Sequence, residues 1–193
     1  MTLEDVLRAP LPGRVADVVE RLRAIEETLP EDDGVRAFTA LYRAVTEAVD
    51  ERVRPGTFAE PRFTRWLDVV FANLYLRALK SHVLGPKRPP RAWAALFEAR
   101  SRPGVAPIQF ALAGMNAHIN RDLPLALVET CRALDVVPTR DCQRHAEYRA
   151  IDPLLAEKEA CVRADEALGE LDSVVTLDRF VGLASRGLLR HVV

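Results

Sequence analysis

The sequence predicts an all-α fold: one domain over residues 1–193, with seven to nine helices packed around a buried central helix. Three observations predict it. Apolar residues recur at three- and four-residue spacings through most of the chain, the mark of helices with one buried face. No stretch sustains the period-two alternation of a half-buried strand. Proline and glycine fall between the periodic segments, at distances that suit ordinary helices.

The first segment carries Val15, Val18, Val19, Leu22, Ile25 and Leu29, preceded by Pro12-Gly13 and ended by Pro30. The second carries Phe38, Leu41, Tyr42, Val45 and Val49 and stops near Pro55-Gly56. The third opens at Pro61, a favoured first-turn residue, and closes at Gly85-Pro86. Its apolar side chains, Trp66, Leu67, Val69, Val70, Phe71, Leu74, Leu76 and Leu79, surround much of the helix and predict packing on several sides. A short helix over Arg91–Ala99 follows, with Trp93, Leu96 and Phe97 on one stripe. A core-like helix runs from Pro107 to about Asn120, and Pro124 predicts an interruption, because it lacks a donor and crowds the preceding turn. Leu125–Leu134 resumes the pattern. Beyond it, Thr139 caps a segment holding His145 and Tyr148, Asp152-Pro153 opens another helix, and a last one covers roughly 177–191.

Composition narrows the function. Of 193 residues 49% are hydrophobic, enough for a sizeable core, and the net charge is −1. Nucleic-acid binding needs clustered excess Lys and Arg. The nearest approach, Lys87-Arg88-Pro89-Pro90-Arg91, is broken by prolines and reads as a solvated loop. No uncharged run approaches the ~20 residues of a membrane span, and the start, Met1-Thr2-Leu3-Glu4-Asp5, has no apolar signal core. Cys131, Cys142 and Cys161 cannot all pair within the chain and suit reduced thiols. These features predict a cytoplasmic protein that binds neither membrane nor nucleic acid.

One window can carry chemistry. Residues 108–122 are apolar and rich in small side chains, yet hold Gln109, Asn116, His118, Asn120 and Asp122. At ~100° per residue, Gln109, Asn116 and Asn120 share one line. His118 and Asp122 lie opposite, beside Ala111 and Gly114. Residues four apart share a helix face, so Asp122 can orient the imidazole and make His118 a general acid or base. Small neighbours leave room for a ligand or for another helix. In the catalytic reading His118 and Asp122 act on a small apolar molecule, with Asn116, Asn120 and Trp93 as binding residues. The alternative is a non-catalytic ligand-binding or interaction module, in which His118 satisfies a buried hydrogen bond and Asp122 caps the next helix. A third reading uses no cofactor but a metal: Asp141 and His145 repeat the spacing, and with His118 and Asp122 they can ligate Zn²⁺ or Fe²⁺ in a helical hydrolase.

Other candidates are plainer. Trp66 and Trp93 suit core anchors, and His82 and His191 suit helix ends. Arg65, Asp68 and Arg77 either reach a pocket or make surface ion pairs. Phosphate-binding glycine loops, the dinucleotide fingerprint, Gly-x-Ser-x-Gly and His-Glu-x-x-His are absent.

The string FALAGMNAHINRDLPLAL, residues 110–127, resembles a segment of an uncharacterised helical family of high-GC bacteria, a domain of unknown function. With the spacing of Trp93, Leu96 and Phe97 the resemblance covers most of residues 35–160. It implies an all-α fold and no particular activity. His118-x-x-x-Asp122-x-Pro124 is also similar to an element of zinc-dependent phospholipase C and nuclease-type hydrolases. Those enzymes need further histidines, one just after the proline, where this chain has Leu125 and Ala126.

Overall fold

A computed structural model describes residues 1–52, 61–85 and 88–136, all helical or loop, with no strand among them. The helices are α1 (Leu3–Arg8), α2 (Val15–Thr28), α3 (Gly34–Arg52), α4 (Pro61–Leu84), α5 (Arg91–Ala99), α6 (Pro107–Ala117) and α7 (Leu123–Ala133). A π turn, His118–Asp122, joins α6 to α7 without a break. The described residues therefore form six helical rods. The segments expected beyond residue 136, with His145, Tyr148 and His191, lie outside the described residues.

Local chemistry sets the ends. Periodicity does not reveal α1, which is too short, but a capping box does. The Asp5 amide donates to Thr2 Oγ1, and the Asp5 carboxylate accepts from the Thr2 amide at 2.9 Å. Helix α2 buries Val15, Val18, Leu22 and Ile25 and ends before Pro30, as the spacing predicts. Asp33 starts α3 by accepting the Val35 amide at 2.8 Å, and its other oxygen takes two bonds from Arg100, at 2.5 and 2.9 Å. That ion pair ties the start of α3 to the end of α5.

Helix α4 is the long central element. Ala72, Tyr75, Leu76, Ala78 and Leu79 are all buried. Its solvent side carries Arg62, Arg65, Arg77 and Lys80. Trp66 corrects the expectation of a core anchor, for it is 43% exposed beside those basic residues. Trp93, by contrast, is fully buried.

Two close approaches fix α3 against α6. Gly34 lies under the Phe110 ring and Gly114 under the Phe38 ring, each so close that a Cβ would come within 3.0 Å of ring carbons. The room that small residues leave beside His118 is filled here by α3. A second, smaller cluster joins α4 to α7 through Phe63, Leu67, Leu74 and Ala126.

The expected interruption at Pro124 does not occur. The Leu123 amide reaches back five residues to the His118 carbonyl. This wider turn carries the helix past a residue that has no donor and would crowd a regular turn.

Candidate functional site

The π turn places the two predicted residues together. His118 is 1% exposed and Asp122 0%, with His118 Nδ1 3.2 Å from Asp122 Oδ2. A carboxylate only accepts, so Nδ1 carries the proton and Nε2 the lone pair. The same Oδ2 accepts the indole N–H of Trp93 at 3.0 Å. Oδ1 receives the Arg121 guanidinium. Asp122 thus joins three donors and neutralises its charge against Arg121, as a buried carboxylate must. Although it stands at the start of α7, its side chain makes no capping bond there.

Five rings surround the imidazole. Phe71 stacks flat on it, with centroids 3.5 Å apart and 5° between planes. Tyr42 meets it at 4.5 Å, Trp93 at 5.8 Å, Phe38 at 5.9 Å and Tyr75 at 6.3 Å. Phe38, Tyr42, Tyr75 and Trp93 are buried, and Phe71 alone reaches solvent. A buried hydrogen bond of 2.7 Å between Thr39 Oγ1 and the Tyr75 hydroxyl braces the box on the side of α3 and α4.

Burial disfavours imidazolium and lowers the pKa of His118 below its ordinary value; the bond to Asp122 and its charge oppose this only in part. The ring is neutral at pH 7. Its Nε2 is buried and has no hydrogen-bond partner among the described residues. A second buried acceptor without a partner among the described residues is Asp68 Oδ2, on α4 one turn before Phe71. Burial, reinforced by the charge of Asp50, pushes the Asp68 carboxyl up to about 7. The Tyr42 hydroxyl is pushed well above its usual value by burial first, then by Asp68.

The other predicted residues are placed elsewhere. Asn116 and Asn120 are exposed and bond one another, Asn120 Nδ2 donating to Asn116 Oδ1 at 2.6 Å. Gln109 is exposed too, and its side chain accepts the Ala106 amide at 3.0 Å. The structure unites His118, Asp122 and Trp93 and leaves the asparagines on the opposite, solvent side. His82 sits in the last turn of α4, stacked on Phe97 at 4.9 Å.

Asp141 and His145 lie outside the described residues. Among the described residues no three His, Cys, Asp or Glu side chains converge as a metal site would require. Nor is any helix there long and apolar enough to cross a membrane.

Sequence spacing finds the His118–Asp122 pair because one turn of helix joins them. It gives Trp93 no link to Asp122, 29 residues away. Asp68 is legible in sequence as an acid on α4 that either reaches a pocket or pairs at the surface, and spacing gives it no link to His118. The arrangement can orient a neutral imidazole and hold its free nitrogen among aromatic walls. Comparison with known proteins gives one match: the model of a family of unknown function (DUF5995) covers residues 15–191. No curated protein and no solved structure matches the chain.

Proposed function

The chain belongs to that family, whose function is unknown, and we propose that it is a small-molecule enzyme with His118 as its acid-base group and Asp122 as the orienting acid. The observation that carries this reading is the state of the ring. Nδ1–H is committed to Asp122, while the buried Nε2 has no partner among the described residues. A neutral imidazole with its lone pair free is the form a general base takes. Nε2 would accept the substrate proton, and Asp122 would stabilise the imidazolium without taking the proton itself. The surrounding rings suit a largely apolar substrate. Phe71, which covers one face of the imidazole, is the one of the five rings that reaches solvent.

Two measurements test the proposal without knowledge of the substrate. Nitrogen NMR of the imidazole at pH 7 should show the neutral Nδ1–H tautomer of His118. Diethyl pyrocarbonate, followed by peptide mass spectrometry, should modify His118 much faster than the protein unfolds globally. A proton on Nε2, or modification only at the rate of global unfolding, refutes the enzyme reading.

The second reading, a non-catalytic binding or interaction module, draws on the Phe71 stack and the 1% exposure of His118. Asp122 then serves to lock α5 to the π turn through Trp93. Slow modification of His118 together with a large loss of stability on removing Asp122 favours it.

A further inference from the structure

Two buried acceptor atoms have no partner among the described residues, one on the imidazole that Phe71 covers and one on the residue a turn before Phe71. His118 Nε2 belongs to an imidazole that is 1% exposed. Asp68 Oδ2 is sealed from solvent, although the Asp68 residue as a whole is only partly buried. Phe71 links them, because it stacks on the His118 ring and follows Asp68 by three residues on α4. Tyr42 links them from α3, in edge contact with the imidazole and within the field of the Asp68 charge. Asp68 and Phe71 are also the residues of this group that reach the surface. They mark the side from which a ligand would enter.

We propose that Asp68 is the second binding group of the His118 site, and that the site takes a small amine with an apolar body. This rests on the reading of His118 Nε2 as a free acceptor, and adds to it the class of ligand.

Above its midpoint of about 7 the Asp68 carboxylate, like Nε2 of a neutral imidazole, only accepts, so a ligand that satisfies both must bring at least two donors. An ammonium group brings three; an alcohol brings one. Charge points the same way. Among the described residues the charged side chain that acts on Asp68 is Asp50, another acid. A cation near Asp68 would relieve the repulsion and the cost of holding a carboxylate out of water. Aromatic side chains also favour an organic cation over a neutral isostere. The Arg121 charge is already engaged by Asp122 and does not supply this cation. Phe71, the partly exposed ring of the group, offers apolar contact for the body of the ligand.

The test compares benzylamine with benzyl alcohol, which share a shape and differ in charge and donor number. Amide NMR titrations of the full chain at pH 7.5 give both affinities and the residues perturbed. Benzylamine should bind at least about tenfold more tightly, a difference of about 1.4 kcal/mol, and shift residues around Tyr42, Asp68, Phe71 and His118. Asp68→Asn should remove that preference while leaving benzyl alcohol binding within about twofold. If its spectrum is not that of the folded protein, Asp68→Ser serves for the same comparison. Equal affinity for the two probes, a preference that survives loss of Asp68, or shifts confined to other surfaces would overturn the proposal. Its failure is distinct from that of the acid-base reading, which stands on the His118 tautomer and its modification rate in the absence of any ligand.

Discussion

Gly114→Ala tests whether the aromatic box is as rigid as its geometry implies. A methyl on Gly114 would come within 3.0 Å of Phe38 Cγ, Cδ2 and Cβ. Real Cβ atoms essentially never come closer than 3.0 Å to a neighbour, so the ring or helix α6 must move. Phe38 has little room. It is fully buried, with Tyr75 at 5.0 Å, Trp93 at 5.2 Å, Tyr42 at 5.7 Å and His118 at 5.9 Å around its centroid. Overpacking a core site costs about 1–3 kcal/mol, and here the clash involves Phe38 Cβ as well as the ring, which argues for the upper part of that range. Replacing glycine in a helix interior returns about 1 kcal/mol. The net expectation is a loss of about 1–2 kcal/mol, or a fall of about 2–8 °C in melting temperature for a chain of this size. Urea titrations followed by circular dichroism measure it. Gly13→Ala is the control, because a Cβ there meets nothing within 4 Å; it should be neutral or stabilising by about 0.5 kcal/mol. A Gly114→Ala protein as stable as the parent, with an unchanged denaturant slope, would show that the box yields and that the packing argument is wrong.

Two further predictions concern the buried acids. Asp122→Ala strands the indole N–H of Trp93 and the Nδ1–H of His118 together, and should cost about 3–5 kcal/mol as a broken buried network does; Trp93→Phe strands neither partner's charge and should cost only about 1–3 kcal/mol, so equal losses in urea titrations would refute the shared role of Asp122 Oδ2. For pH, the two groups pull in opposite directions. His118 has a lowered pKa, so the unfolded chain binds the proton first and stability falls as pH drops below about 6.5. Asp68 is raised from 3.8 to about 7, so the folded chain holds the proton, and stability falls as pH rises through that window. Asp68→Asn removes the second effect alone. Its stability relative to the parent should therefore rise from about pH 4 to about pH 7 and level off above, and a difference that stays flat in urea midpoints would show that Asp68 is not held as a buried acid.

Much of the helical layout is legible in the sequence. Pro30, Pro61 and Pro107 mark helix ends through the missing donor of proline, Gly85 marks one where a Cβ would meet the Ser81 carbonyl at 2.7 Å, and the apolar stripes of α2, α3 and α5 face the core where their period places them. The His118–Asp122 pair is legible for the same reason, since four residues of helix bring two side chains to one face. Pro124 misleads because the sequence records the lost donor but not the wider turn that accommodates it. Trp66 misleads because composition says that an indole is apolar, while only the neighbours of α4 decide which of its sides they cover.

The helices and their faces follow from short-range rules of spacing, capping and backbone restriction, all written within a few residues of one another. What decides the chemistry is long-range. Trp93 reaches Asp122 across 29 residues and Phe38 occupies the space above Gly114. Phe71 covers an imidazole 47 positions away in the chain. Whether the small residues beside His118 open onto a ligand or receive a ring depends on which helix arrives there. No local periodicity encodes that, because packing joins side chains whose separation in sequence carries no information about their separation in space.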